Sequence, residues 1–306
     1  MKALFIFLAM SAVFVIFLGF ITCSDDKSTS PDDEDIFEIH EWGVLVGCVE
    51  DTAYYLTSRP EISSMIREPV IYVHSSKKTP FTATVTFNVG APTDTYPEAD
   101  VTGNVVQWEN VDFCNELASR KRLVDSDFVP LESIIETLND VDADCLEFGG
   151  ETARFLFYEG GISYETRVMP SHGPLEQQVT IKNYGTYPVY NVNFVTAVPG
   201  DAPPPIVMAG RIAQLNPGQQ VTLDLESGFP IVLQADLITQ GFTPSEASAF
   251  EELWSISFFE LYESEYAANL FYRISQAEYN ELVTLEVEPA PTEVVRSLYV
   301  LVHQFY

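Results

Sequence analysis

Phe81-Thr82-Ala83-Thr84-Val85-Thr86-Phe87-Asn88-Val89 decides the fold class. Apolar side chains at 81, 83, 85, 87 and 89 alternate with Thr82, Thr84, Thr86 and Asn88. A period of two puts every apolar group on one face of an extended chain, the signature of a half-buried antiparallel strand. Gly90-Ala91-Pro92 ends the pattern. Working outward, the apolar runs 42–48 and 69–74 and the run 105–111, with Trp108, read as further strands. The period then changes. Leu131, Ile134, Ile135 and Leu138 fall at i, i+3, i+4 and i+7, which predicts a helix over 130–138 with Pro130 in its first turn.

From 150 to 226 the chain reads as strand again. The segment 154–158 is nearly all apolar and is expected to be buried on both faces. Val179-Thr180-Ile181 precedes an Asn183-Tyr184-Gly185 turn. Tyr190, Val192 and Phe194 then alternate with Asn191 and Asn193. Asn216-Pro217-Gly218 has Pro and Gly where a type II turn needs them. Gly149-Gly150 and Gly160-Gly161 read as strand-end turns. In the last stretch Thr243-Pro244-Ser245-Glu246 is a capping box that starts a helix through Phe250, Leu253 and Trp254. Ser275-Gln276-Ala277-Glu278 is a second capping box, opening a short helix to Leu282. Strands are predicted over 269–274, 284–287 and 296–303, suggesting a small antiparallel sheet with helices on one side.

The fold class expected is therefore mainly β, with antiparallel β-sandwich domains, short helices and an α+β C-terminal region. The organisation expected is a signal segment over 1–23, an acidic tether over 24–35, and a β-rich stretch over 36–149 with a helix near 130–139. A sandwich over 150–227 and an α+β region over 228–306 follow. The 306-residue chain suits two or three small domains. Hydrophobic content of 46% provides for a real core.

The amino-terminal segment sets location. Residues 3–22 are apolar and uncharged after Lys2, and Cys23 is followed by Ser24-Asp25-Asp26-Lys27. This reads as an export signal ending in a lipidation site at Cys23. Phe20 and Thr22 depart from the usual lipobox, and a run of this length also suits an uncleaved membrane anchor. In either case the body is expected outside the cytoplasm, attached to a membrane by lipid or anchor, in the cell envelope at the outer membrane or cell surface. The net charge of −30 argues against nucleic acid and anionic membrane surfaces as partners, since their phosphates repel it. An envelope protein or glycan partner remains open. Lys77-Lys78 and Arg120-Lys121-Arg122 read as solvated loop charges. Export permits disulfides, and Cys114 with Cys145 is the expected pair, Cys48 lying in an apolar strand.

His40-Glu41-Trp42-Gly43-Val44, Glu68-Pro69-Val70-Ile71-Tyr72 and the stretch 150–158 together resemble an uncharacterised family of exported bacterial envelope proteins. Glu246-Ala247, Leu253-Trp254, Pro289-Ala290-Pro291 and Val294-Val295-Arg296 add to that likeness, which spans almost the whole chain beyond the signal. It implies a shared fold and an envelope location, and no activity. The turns and final alternating strand of 150–227 also resemble Ig-like sandwich modules of bacterial envelope proteins, which implies a fold and no chemistry.

Candidate chemistry is sparse. His40-Glu41, with His74 and His172, offers types that bind metal or move protons. Such residues at strand starts more often make structural hydrogen bonds. Asp140, Asp142 and Asp144 stand at positions 1, 3 and 5 of a calcium-type loop, with Glu151 at position 12. Cys145 stands where that loop needs Gly, and a strand follows where it needs a helix. No nucleophile elbow and no phosphate loop are found. Tyr54-Tyr55, Trp108, Trp254 and Tyr262 suit a sugar- or peptide-binding face, but such aromatics more often form core. The reading is a membrane-tethered envelope lipoprotein, a binding or structural module with no catalytic residue, metal ligand or cofactor assigned. The alternatives are an exported metal-dependent hydrolase using His40 and Glu41, and a calcium-stabilised adhesion module.

Overall fold

The computed structural model describes residues 35–49, 61–117, 130–175, 177–198, 206–228, 232–259 and 267–305. Cys23, Tyr54-Tyr55, Arg120-Lys121-Arg122 and Tyr262 lie outside them. In chain order the first elements are β1 (Phe37–Val49), β2 (Glu61–Ser75), β3 (Phe81–Phe87), β4 (Ala91–Tyr96), β5 (Asp100–Thr102), β6 (Val105–Phe113) and helix α1 (Pro130–Asn139). Next come β7 (Leu146–Phe148), β8 (Glu151–Ala153), β9 (Phe155–Glu165), β10 (Val168–His172), β11 (Gln178–Asn183), β12 (Val189–Val198), β13 (Ile206–Leu215), β14 (Gln220–Asp224) and β15 (Glu226–Ser227). The chain closes with α2 (Leu233–Thr239), α3 (Pro244–Phe259), β16 (Ala267–Arg273), α4 (Gln276–Leu282), β17 (Val283–Glu288) and β18 (Glu293–Phe305).

The fold is mainly β, with antiparallel sheets and a few short helices, as the alternation predicted. A nine-stranded sheet in the order β15-β13-β12-β16-β18-β1-β2-β9-β4 forms the middle layer. Every pairing in it is antiparallel except β1 with β18, which run parallel with Trp42 opposite Ser297. One face carries Trp42, Val70, Tyr72, Phe155, Phe271 and Tyr299, packed against α1, α2 and α3. The other carries Ile39, Ile71, Leu156, Phe194, Leu270 and Val300, packed against two smaller sheets. These are the three-stranded β10-β11-β14 and the six-stranded β17-β3-β6-β7-β8, with β5 beside β6. Strand pleating sends successive side chains to opposite layers, so both faces of the large sheet are buried. Each fully buried Val, Leu or Phe contributes about 1.5–3 kcal/mol from leaving water.

Local readings map onto this frame with instructive exceptions. Phe81, Ala83, Val85 and Phe87 are buried and the threonines between them half-exposed. The strand stops at Phe87, two residues short, and Val89 is exposed where the chain bends towards Gly90. Ile135 and Leu138 of α1 are buried. Gly160-Gly161 is not a strand-end turn but lies inside β9. A Cβ at Gly160 would lie 2.2 Å from the Phe87 ring, so glycine there lets the six-stranded sheet approach. Asn191 and Asn193, which alternate with Tyr190, Val192 and Phe194, are buried as well. Their amides are held within the sheet: Asn191 Nδ2 donates to Tyr299 Oη at 2.9 Å, and Asn193 Nδ2 to the Asn191 carbonyl at 2.6 Å.

The borders expected at 149/150 and 227/228 do not separate sheets. Residues 35–306 cluster as one compact unit. The large sheet takes β1, β2 and β4 from the first stretch, β9, β12, β13 and β15 from the second, and β16 and β18 from the third. The stretch 150–227 does supply both the large sheet and the facing three-stranded sheet, as a sandwich requires, but its β8 joins the six-stranded sheet and its larger sheet continues on through β16, β18 and β1. The C-terminal strands form no sheet of their own. β16 and β18 stand in the middle of the large sheet and β17 at the rim of the six-stranded one. Hydrogen bonding across β16 and β18 thus joins parts of the chain that local pattern separates.

Candidate functional site

Register brings two histidines together. In the β1–β2 pair His40 lies opposite Tyr72 and Glu38 opposite His74. Residues two apart share a face, so Glu38, His40 and His74 all point to the helical layer. Above them α3 begins. Its capping box forms as predicted: the Thr243 backbone N–H donates to Glu246 Oε2 at 2.7 Å, and the Glu246 N–H to Thr243 Oγ1 at 3.3 Å. That cap aims the Glu246 carboxylate at the histidines. Glu246 Oε2 is 2.9 Å and Oε1 3.1 Å from His40 Nδ1, and Oε1 is 2.9 Å from His74 Nε2. The two imidazole rings lie 4.8 Å apart, and the Phe242 ring covers His40 at 5.6 Å.

Burial alone would raise the Glu246 pKa, but hydrogen bonds from both histidines and from Thr243 lower it to about 2. The carboxylate is therefore ionised at neutral pH. At His74 burial acts to lower the pKa. The hydrogen bond and charge of Glu246, with Asp144 and Glu38 nearby, overcome it and leave the pKa raised. Glu246 is fully buried, His40 nearly so, and the His74 side chain keeps 20% of its surface, giving the cluster one solvent side. Among the described residues this is the group of three or more His, Cys, Asp or Glu whose ligating atoms converge, all within 4.8 Å of one another.

The set expected from sequence assembles differently. His40 and His74 meet, but Glu41 points to the opposite face. There its Oε1 accepts from Tyr158 Oη at 2.5 Å and Tyr279 Oη at 3.0 Å, while Oε2 accepts from Arg296 Nε. The Arg296 guanidinium stacks over the Tyr279 ring at 4.0 Å and donates to the Val283 carbonyl at 3.0 Å. Burial and the Glu41 charge push both tyrosine pKa values up, and the Glu41 charge holds Arg296 protonated against its own burial. This network clamps β1 and β18 to β9 and α4. His172 is exposed at the end of β10 and outside the convergent group.

The acidic loop does not form a calcium cage. Asp140, Asp142 and Glu151 are exposed, and Glu151 sits on β8 beyond the Gly149-Gly150 turn. Asp144 accepts from the Ser75 N–H at 2.7 Å and pairs with Lys78. It serves as a tie between the loop and β2. Trp108 and Trp254 are core residues. Glu246 was legible only as a helix cap. Its second role depends on where α3 sits over the sheet, which no local pattern encodes.

No protein-family model matches the sequence, and no curated protein matches it. Among solved structures, the yeast delta-COP-I mu-homology domain is similar at a TM-score of 0.35 and 8% identity, covering 89% of this chain and 97% of that one. The same yeast domain complexed with a Dsl1 WxWxV peptide gives 0.34 and 7%, with the same coverage. Both scores fall below 0.5, and the β-rich fold described above rests on this chain's own strands.

Proposed function

We propose that the chain is an exported, membrane-tethered lipoprotein of the bacterial cell envelope, whose β-rich body serves as a binding or structural module. The observation that carries this reading is the Cys114–Cys145 disulfide downstream of an export-type segment. Disulfides persist in oxidising compartments and are rare where cytosolic thiols stay reduced. The apolar run over 3–22 and Cys23 supply the route out and the attachment. The acid-rich stretch 24–35 supplies a spacer between membrane and body.

A non-enzymatic role is favoured by what the buried ionisable groups do. Both Glu41 carboxylate oxygens are taken up by Arg296, Tyr158 and Tyr279. Asp236 likewise accepts from Arg273 Nε at 2.8 Å and Tyr299 Oη at 2.7 Å. Groups committed in this way hold layers in register rather than face a substrate. The hydrolase alternative loses Glu41 to the first network.

Metabolic labelling with an alkyne fatty acid, followed by mass spectrometry of the amino-terminal peptide, tests the tether. The expected result is label on Cys23, with residues 1–22 removed and no label in Cys23→Ala. An intact, unlabelled 1–22 in a membrane-bound chain would replace the lipid with an anchor. Recovery of the chain in the cytoplasm with Cys114 and Cys145 reduced would overturn the reading.

A further inference from the structure

We propose that His40, His74 and Glu246 form a binding site for a divalent transition-metal ion of the zinc class. The site lies in the folded body and stands whether or not Cys23 carries a lipid. Two imidazoles and one carboxylate are a donor set that zinc takes, with a fourth position left for water. Their converging atoms are His40 Nδ1, His74 Nε2 and a Glu246 oxygen, at 2.9–3.1 Å across each His–Glu contact. A tetrahedral ion with bonds of about 2.0–2.2 Å needs donor–donor edges of roughly 3.4 Å. The His–Glu contacts must therefore lengthen by a few tenths of an ångström, and since the three donor atoms span up to 4.8 Å, the two imidazole nitrogens must swing together by about an ångström to share an ion.

Three further features fit an ion rather than a purely structural hydrogen-bond trio. The other ring nitrogen of His40, Nε2, faces Glu38 Oε2 at 3.9 Å. When Nδ1 gives its lone pair to a metal, the ring proton moves to Nε2; at 3.9 Å the Glu38 carboxylate makes no direct hydrogen bond to it but places negative charge beside that proton, which favours the tautomer. The surroundings carry negative charge, since Glu38 and Asp144 both act on His74 beside Glu246. Finally, the donors have unequal access. Glu246 and His40 are buried while His74 keeps an open side. An ion entering there meets His74 first and keeps its water on that side. The paired strands β1 and β2 hold two donors and the capped first turn of α3 the third, so the donors already converge before an ion enters.

The test is zinc binding by the purified full-length chain in detergent, followed by calorimetry and by metal analysis after dialysis, with cobalt(II) absorption as a geometric probe. One equivalent of zinc per chain is expected, with the intense visible absorption of tetrahedral cobalt. His74→Ala should lower affinity by at least about 100-fold, beyond the 10–100-fold typical of losing only a supporting partner, and Glu38→Gln by about 10-fold. His172→Ala should bind as the wild type does. His74 is partly exposed, so its alanine variant is expected to keep the wild-type circular dichroism. Glu246→Gln, which retains a side chain able to cap α3, gives a second ligand deletion. A folded wild type that takes up no stoichiometric zinc would overturn the proposal. Equal affinity in folded His74→Ala and Glu246→Gln would overturn it as well.

Discussion

Glu278 is buried at the start of α4, and its carboxyl is pushed up to about 7 by burial, against the pull of Arg167 at 3.7 Å. Protonation is thereby coupled to folding. The native carboxyl keeps its proton to about pH 7, whereas an unfolded one loses it near the usual 4.5. Between those values the native state binds more protons, so stability falls as pH rises. The contribution is fully present below about pH 4.5 and lost above about pH 7, a change of roughly 3 kcal/mol. Glu278→Gln keeps the neutral form at all pH. Urea denaturation at pH 5 and pH 8 should show the wild type losing more stability than the variant, with the variant the more stable at pH 8. Identical pH slopes would mean that the native carboxyl is already ionised. The sequence marks Glu278 as a capping-box residue, and the Glu278 N–H does donate to Ser275 Oγ at 3.2 Å. The titration follows only from its burial in the packed core, with Arg167, Glu281 and Tyr164 acting on it.

At the scale of elements, the link between β6 and β7 is double. Cys114 and Cys145 are bridged, and the Cys114 N–H donates to the Cys145 carbonyl at 2.9 Å. The bridge spans a sequence separation of 31 and includes α1 within its loop. Closing a loop of that size restricts the unfolded chain and stabilises the fold by about 3–4 kcal/mol. Cys114→Ser should lower the melting temperature accordingly, and reduction of the wild type should have the same effect. A variant that melts with the oxidised wild type would show that the bridge adds no restraint. Element type was readable here because α1 has its own apolar stripe and β3 its own alternation. The pairing was a choice among three cysteines, and only the approach of β6 to β7 made it definite. Conversely, α2 was not foreseen. It spans seven residues, with Leu233 and Leu237 as its buried pair, too short a pattern to distinguish from a loop.

Across the whole molecule, β1 and β18 lie side by side, parallel, at the centre of the large sheet. The two ends of the folded body thus pair with each other, and each middle segment reaches the core through them. The stretch 150–227 is expected not to keep its structure alone, because its strands pair outside it. Its β12 needs β16, and its β9 needs β2 and β4. Residues 35–306 are therefore expected to unfold in one cooperative transition, coincident by tryptophan fluorescence and far-ultraviolet circular dichroism. An excised 150–227 fragment should show neither a cooperative melt nor dispersed amide resonances. A fragment that folds alone, or two separated transitions in the whole chain, would restore the sandwich as an independent domain.

What the sequence determined by itself is whatever repeats within a few residues. Strand alternation at 81–87, the stripe of α1, the capping boxes at 243–246 and 275–278 and the turn at Asn216-Pro217-Gly218 all depend on neighbours along the chain. Local physics sets them. Only the tertiary structure decided which strands share a sheet, that Asn191 and Asn193 are buried, and that Glu41 and His40 serve opposite faces with different partners. It also decided the meeting of His40, His74 and Glu246, whose residues are 206 and 172 positions apart along the chain. Contacts at that separation form when burial of both sheet faces selects one arrangement of layers. That selection is a property of the whole core and leaves no periodic trace in the sequence.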